Sequence, residues 1–292
     1  MVTSPLGSIP APGLVLGGIF SLQIGAGLAK GLFDTLPPTA VVFLRLAFSA
    51  VALIAVTHRA VRRSLRTASR RDVLLAVTFG LSLAMMNISI YESFSRIPLG
   101  IAVTIEFLGP LGVAVALSRR RLDLIWVGLA AVGVVLLARG GREGIDPVGV
   151  GFALLAAVGW ATYILLGAKL GQRFPGSSGL TVASVVGAMA VLPIGLSTGG
   201  DSLWQADVLL LAAGIAVLSS VIPYSLELEA LRRMPATVFG ILMSLEPAVA
   251  ALVGLVVLNE VLHAREWVAI CLVVSACLGA TRQPAGRTET EA

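Results

Sequence analysis

Apolar runs, most of them long enough to cross a lipid bilayer, follow one another along the entire chain. They fall at roughly 12–33, 38–57, 73–94, 98–118, 123–138, 147–167, 179–197, 207–228, 236–258 and 266–281. A helix needs about 20 apolar residues to span a hydrocarbon core about 30 Å thick. The spacing therefore predicts an all-α integral membrane protein with ten transmembrane helices. The runs are continuously apolar rather than alternating, which argues against a membrane β-barrel. Glycine and proline interrupt many of them, which a membrane helix tolerates because neighbouring helices satisfy the freed backbone groups. Ten spans use about 200 residues of the 292, leaving short connections and tails but no folded soluble domain. Only 13% of residues are charged and 57% are hydrophobic; the mean hydropathy is +0.95. A soluble domain is nearer a quarter charged. Such a chain cannot cover its own surface in water, which excludes a cytosolic enzyme, a nucleic-acid binder and a disordered protein.

The net charge of +5 is distributed by side. With a cytoplasmic N-terminus, the inner loops carry Arg59, Arg62, Arg63, Arg66, Arg70, Arg71, Arg119, Arg120, Arg121, Lys169, Arg173, Arg232 and Arg233, and the tail adds Arg282 and Arg287. The outer loops carry Arg96, Arg139, Arg142 and Arg265. The positive-inside rule thus predicts both termini in the cytoplasm. Met1–Gly13 lacks the basic start of a cleaved signal peptide, so the first run is expected to stay as a helix. Cys271 and Cys277 lie within one apolar run and read as small apolar residues, not as a disulfide framework.

The chain also repeats itself. Glu92-Ser93-Phe94-Ser95-Arg96-Ile97-Pro98 matches Glu229-Ala230-Leu231-Arg232-Arg233-Met234-Pro235, and without a gap Gly109-Pro110 then falls on Glu246-Pro247 and Ala114 on Ala251. The expected division is one five-helix repeat over 1–145 and a second over 146–292. Five is odd, so the second repeat must enter the membrane upside down. Inverted repeats of this kind characterise secondary transporters, whose substrate site lies near the midplane between the halves.

The stretches Pro98-Leu99-Gly100-Ile101-Ala102-Val103, Glu106-Phe107-Leu108-Gly109-Pro110, Pro223-Tyr224-Ser225-Leu226-Glu227 and Phe239-Gly240-Ile241-Leu242-Met243-Ser244-Leu245-Glu246-Pro247-Ala248, with the ten-helix layout, resemble the EamA family of the drug/metabolite transporter superfamily. The resemblance runs from about Leu16 to Leu278. It implies a ten-helix inner-membrane exporter of small metabolites, with small neutral amino acids such as threonine and homoserine as the expected substrates. Other small metabolites or drugs are the alternative. A membrane-embedded enzyme would want nucleophiles or metal ligands clustered at one depth, and none is evident. No P-loop is present, and His58 and His263 fall in loops on opposite sides, so no ATP site, metal site or other cofactor is expected. The expected partners are an amino acid substrate, the lipid bilayer and protons as coupling ion.

Ionisable residues inside a span are costly and are candidate sites for that reason. Glu106 lies about 12 Å in from Pro98, and Glu246 about 16 Å in from Pro235, at helical rise; both depths are near the midplane. Glu227 follows Pro223 on the eighth run. Arg45 lies about 10 Å in from Pro38. It reads either as an ion pair with Glu106 or as an anchor for a substrate carboxylate, which a guanidinium grips through two parallel hydrogen bonds. Gln23, Asn87 with Tyr91, Trp160 with Tyr163, and Tyr224 place polar groups on faces that hydrocarbon would not favour, and together they suggest a cavity. Glu92–Arg96 and Glu229–Arg233, each four residues apart near a helix end, read as structural ion pairs. Lys30, near the outer end of the first run, is expected to snorkel to the interface.

Overall fold

The structure is a computed structural model and describes residues 9–117, 123–138, 145–174, 178–231, 233–234 and 236–281. Every regular element among the described residues is helical. The α-helices are α1 (Ala11–Gly31), α2 (Pro38–Thr67), α3 (Arg70–Phe94), α4 (Leu99–Glu106), α5 (Leu108–Leu117), α6 (Asp123–Ala138), α7 (Pro147–Arg173), α8 (Ser178–Gly199), α9 (Ala206–Ala216), α10 (Ile222–Leu231), α11 (Ala236–Met243), α12 (Glu246–Val257) and α13 (Ala264–Thr281). Eight helical stretches are long and apolar enough to cross a membrane, and Leu124–Leu137 is a shorter apolar helix. Large apolar side chains face outward along them, Val56, Leu210 and Val256 among the most exposed, as suits a lipid-facing surface.

Local chemistry sets the helix starts. Prolines open α2 and α7, where a missing N–H and a fixed φ cost nothing. Asp146 caps α7 by accepting from the Val148 N–H at 2.8 Å. Ser69 and Asp72 form a reciprocal capping box at α3, satisfying two otherwise orphaned donors. That turn is where the Arg-rich segment departs from expectation. α2 does not end near residue 57 but runs on to Thr67, so Arg59, Arg62, Arg63 and Arg66 are helical rather than in a loop.

Three of the long apolar stretches, Leu99–Ala116, Ala206–Glu227 and Val238–Val257, are interrupted partway along. Proline lacks an N–H and leaves the carbonyl four residues earlier without its helical donor. For Pro110 and Pro247 those carbonyls belong to Glu106 and Met243, the last residues of α4 and α11 respectively. The two breaks thus fall at the same register of the internal repeat. The third interruption is a π-helical turn at Val217–Val221, between α9 and α10.

Packing joins α2 to α8, α4 to α12 and α6 to α13, while α3 packs on α7 and α1 on α10. The α4–α12 contact is close enough that a Cβ at Gly100 would lie 2.5 Å from Ala251 Cα. Hydroxyl pairs tie α2 to α8 along its length: Thr39–Thr198 at 3.0 Å, Thr57–Thr181 at 2.9 Å and Ser64–Ser178 at 3.0 Å.

Candidate functional site

The three breaks border a cavity of about 430 Å³, to which α1, α2, α3, α4, α5, α7, α10, α11, α12, α13 and the π-helical turn all contribute. Its walls are mostly apolar, with Met86, Phe107, Trp160 and Phe239 among them. Trp160 meets Phe107 edge-on at 4.8 Å, and Tyr163 stacks at a tilt on Phe79 at 4.7 Å. Into this apolar shell project Glu106, Glu227, Glu246, Arg45, Gln23, Asn87 and Tyr91. The side chain of Tyr224 lies outside the described residues.

Glu246 opens α12 at the break, in the first turn of a helix that begins partway along the apolar stretch Val238–Val257, where the positive end of the helix dipole favours a negative group. It is 3% exposed. Its Oε1 accepts from Gln23 Nε2 at 2.8 Å, while Glu246 Oε2 and Gln23 Oε1 have no hydrogen-bond partner. Glu106 closes α4 at the matching break, is buried, and feels the charge of Arg45. Glu246 in turn feels Glu227 and Glu106. Like charges repel strongly where water is excluded, so three carboxylates sharing one cavity favour the arrival of a cation, whether a proton or an ammonium group.

Arg45 does not pair with Glu106. Its Nη1 donates to Asn87 Oδ1 at 2.7 Å and to the Tyr91 hydroxyl at 3.3 Å, and its guanidinium lies 5.5 Å from the Tyr91 ring centroid. Asn87 is oriented by its own Nδ2 donating to Leu83 O at 2.8 Å. The ion-pair reading fails because α3 offers a neutral acceptor and a π face that hold the guanidinium without cancelling its charge. Arg45 is thus held in place by neutral partners, with Nε unpartnered.

Lys30 does not snorkel. Its Nζ lies 2.6 Å from Glu260 Oε1 and donates to Ile97 O at 2.7 Å. Glu92–Arg96 is formed at 3.5 Å, and Arg233 Nε donates to Glu229 Oε1 at 2.8 Å; both pairs stand near helix ends, outside the cavity. Ser219, on the π-helical turn, lines the cavity and was not among the residues expected from the sequence. Among the described residues no group of His, Cys, Asp and Glu is placed to hold a metal ion.

Apolar helices enclosing a cavity with ionisable groups at broken-helix termini define a multi-pass membrane transporter. The chain belongs to the EamA-like transporter family, whose pattern it matches over residues 147–282. It is 42% identical over 263 residues to the threonine/homoserine exporter RhtA of Salmonella typhimurium (strain SL1344), covering 89% of this chain and 88% of that protein. RhtA of Escherichia coli (strain K12) is 39% identical over 270 residues, or 92% and 90% of the two chains. The uncharacterized inner membrane transporter YedA of the same strain is 26% identical over 220 residues, 70% of each. A solved crystal structure aligns with a TM-score of 0.63 over 92% of this chain and 96% of its own, at 16% identity; that likeness speaks to the fold alone.

Proposed function

We propose that this protein is a secondary active exporter of small neutral amino acids such as threonine and homoserine, resident in a bacterial inner membrane. The observation that carries the reading is the separation of charge across one cavity. Arg45, held by Asn87 and Tyr91, offers a cation, and Glu246, held by Gln23, offers an acid. A zwitterion needs both, because neither of its charges enters an apolar medium cheaply. The similarity to RhtA supports the same substrate class.

In this reading all ten helical runs cross the membrane as two inverted halves, 1–145 and 146–292, with both termini in the cytoplasm. Supporting it, α3 packs on α7 as α1 packs on α10, and α2–α8, α4–α12 and α6–α13 each join equivalent runs. Exchanging the first five runs with the last five leaves that pairing unchanged. The matched breaks before Pro110 and Pro247 add to it. Glu246, Glu227 or Glu106 takes up a proton when the substrate ammonium leaves, which couples proton entry to export.

Efflux tests the proposal. Cells expressing the chain are loaded with labelled amino acids and followed against empty-vector cells. Faster loss of threonine and homoserine, sensitive to a protonophore, is expected. Unchanged internal pools of every amino acid, with accelerated loss of dyes or drugs, would move the assignment to export of other small molecules.

A further inference from the structure

We infer that Ser219, together with Gln23 and Glu246, forms a cradle for a primary ammonium group, so that the cavity selects primary amines over N-alkylated and deaminated analogues. The inference rests on amino acid export as the activity and adds a selecting element to it.

The π-helical turn Val217–Val221 is where the geometry departs from a plain helix, and such turns redirect side chains that an α-helix would point elsewhere. Its neighbouring groups are all engaged. Ser220 pairs with Ser49 at 2.9 Å, and Leu218 O accepts from Ser21 Oγ at 2.8 Å. Ser219 Oγ alone on that turn is buried and without a partner, although Ser219 is 2% exposed and lines the cavity. Opposite it stands Gly25 of α1. A Cβ at Gly25 would collide with Ser219 Oγ, so the hydroxyl occupies space that α1 leaves open only because the residue there is glycine.

Two residues earlier on α1, Gln23 spends its NH₂ group on Glu246 and leaves its own carbonyl oxygen unpaired. Glu246 Oε2 is unpaired as well. Three buried oxygens, on residues of α1, the π turn and α12 that line one cavity, thus lack a donor. Buried acceptors are satisfied in nearly all proteins, so a set of three orphans points to a group that arrives. That group must bring several donors, be small, and tolerate a carboxylate beside it. A primary ammonium brings three N–H donors and a positive charge. A secondary ammonium brings two N–H donors and an alkyl group that the cradle cannot bond. A hydroxyl brings one donor and no charge.

The test uses the full chain in proteoliposomes, reading counterflow of labelled threonine against unlabelled competitors. Homoserine is expected to compete at least tenfold better than N-methylthreonine or 2,4-dihydroxybutyrate. Ser219→Ala is expected to raise the half-saturation for threonine about tenfold, the scale of one lost hydrogen bond to a charged group, and to narrow the gap between homoserine and N-methylthreonine. Gly25→Ala should act in the same direction by displacing the hydroxyl. The double variant Gly25→Ala/Ser219→Ala removes that collision and should remain at the Ser219→Ala level. A double variant restored to wild-type behaviour would show that packing alone matters and would overturn the inference. So would unchanged half-saturation and unchanged discrimination in Ser219→Ala while threonine counterflow persists, a result that leaves export standing. No counterflow by the wild-type protein with any amino acid would overturn both the cradle and the export reading.

Discussion

Lys30 Nζ lies 2.6 Å from Glu260 Oε1, joining α1 to the segment that follows α12. The same carboxylate accepts the Leu99 N–H through Oε2 at 2.8 Å, and Lys30 also donates to Ile97 O at 2.7 Å. Three parts of the chain meet at this pair, at the end of the bundle away from Phe239 and Ala280, where the cavity reaches the start of α11 and the end of α13. The pair ties three segments together at that end of the bundle, and the alternating access that the proposed export calls for would need it to part.

Breaking the pair should therefore loosen that end. Lys30→Ala leaves Glu260 bonded only to a backbone donor and is expected to cost about 1–3 kcal/mol, as for a hydrogen-bonded charge losing its partner. A cysteine placed at Phe94, in a background with Cys271 and Cys277 replaced, should then react with an impermeant thiol reagent several times faster. The swap Lys30→Glu/Glu260→Lys should recover only part of the loss, because a lysine at 260 cannot accept the Leu99 N–H. Equal labelling rates in all these variants would show the pair to be a staple that transport never opens.

Glu246→Gln keeps the side-chain size and can still bond Gln23, but it cannot carry a proton or hold an ammonium charge. Efflux normalised to membrane protein is expected to fall at least a hundredfold, with near-normal protein amounts. Glu92→Gln should do the reverse, since Glu92 meets Arg96 near a helix end and outside the cavity. It should lower the amount of protein modestly and leave transport per molecule intact. Full normalised efflux in Glu246→Gln would shift the required acid to Glu106 or Glu227.

The apolar runs made most of the fold legible, because membrane helices must be long and apolar for reasons local to each run. Even the breaks after Glu106 and Met243 follow from Pro110 and Pro247 by counting back four residues. The π turn obeys the same count, since Pro223 leaves the carbonyl of Ser219, at the centre of Val217–Val221, without its helical donor, but the partners it meets, Ser49 and Gly25, lie far off in sequence and could not be read from it. The partners of Arg45 were hidden for a similar reason. Depth put Glu106 within reach of Arg45, and only the packing of α2 on α3 brings Asn87 to it instead. Glu260 lies in a connection with no periodicity to mark it, far in sequence from Lys30.

The arginines predict the orientation, and the extended α2 decides which positions can test it. Ser64 is buried against Ser178, so a cysteine there would report packing rather than sidedness. Thr67 and Gln205 are exposed, one at the end of α2 and one before α9. With the Arg-rich end in the cytoplasm, Gln205→Cys should react with an impermeant thiol reagent in intact cells, and Thr67→Cys only after the membrane is opened. The opposite pattern would invert the topology and place the cavity's reach toward α11 and α13 on the outer side.

Arg45 gives the sharpest test of substrate geometry. Its Nη1 is already committed to Asn87 and Tyr91, which fixes the plane of the guanidinium and leaves its other donors free for an arriving carboxylate. A lysine at this position keeps the charge but loses the planar fork and the stacking on Tyr91. Arg45→Lys is therefore expected to raise the half-saturation for threonine at least tenfold. Asn87→Leu, which keeps the cation but removes its principal acceptor, should raise it by a smaller factor, about three- to tenfold. Decarboxylated analogues, which present an amine alone, separate the two roles. Their competition with threonine should be weak in the wild type and nearly unchanged by Arg45→Lys, because they never use the guanidinium. If Arg45→Lys weakens threonine and its decarboxylated analogue by the same factor, Arg45 shapes the cavity without contacting the substrate carboxylate.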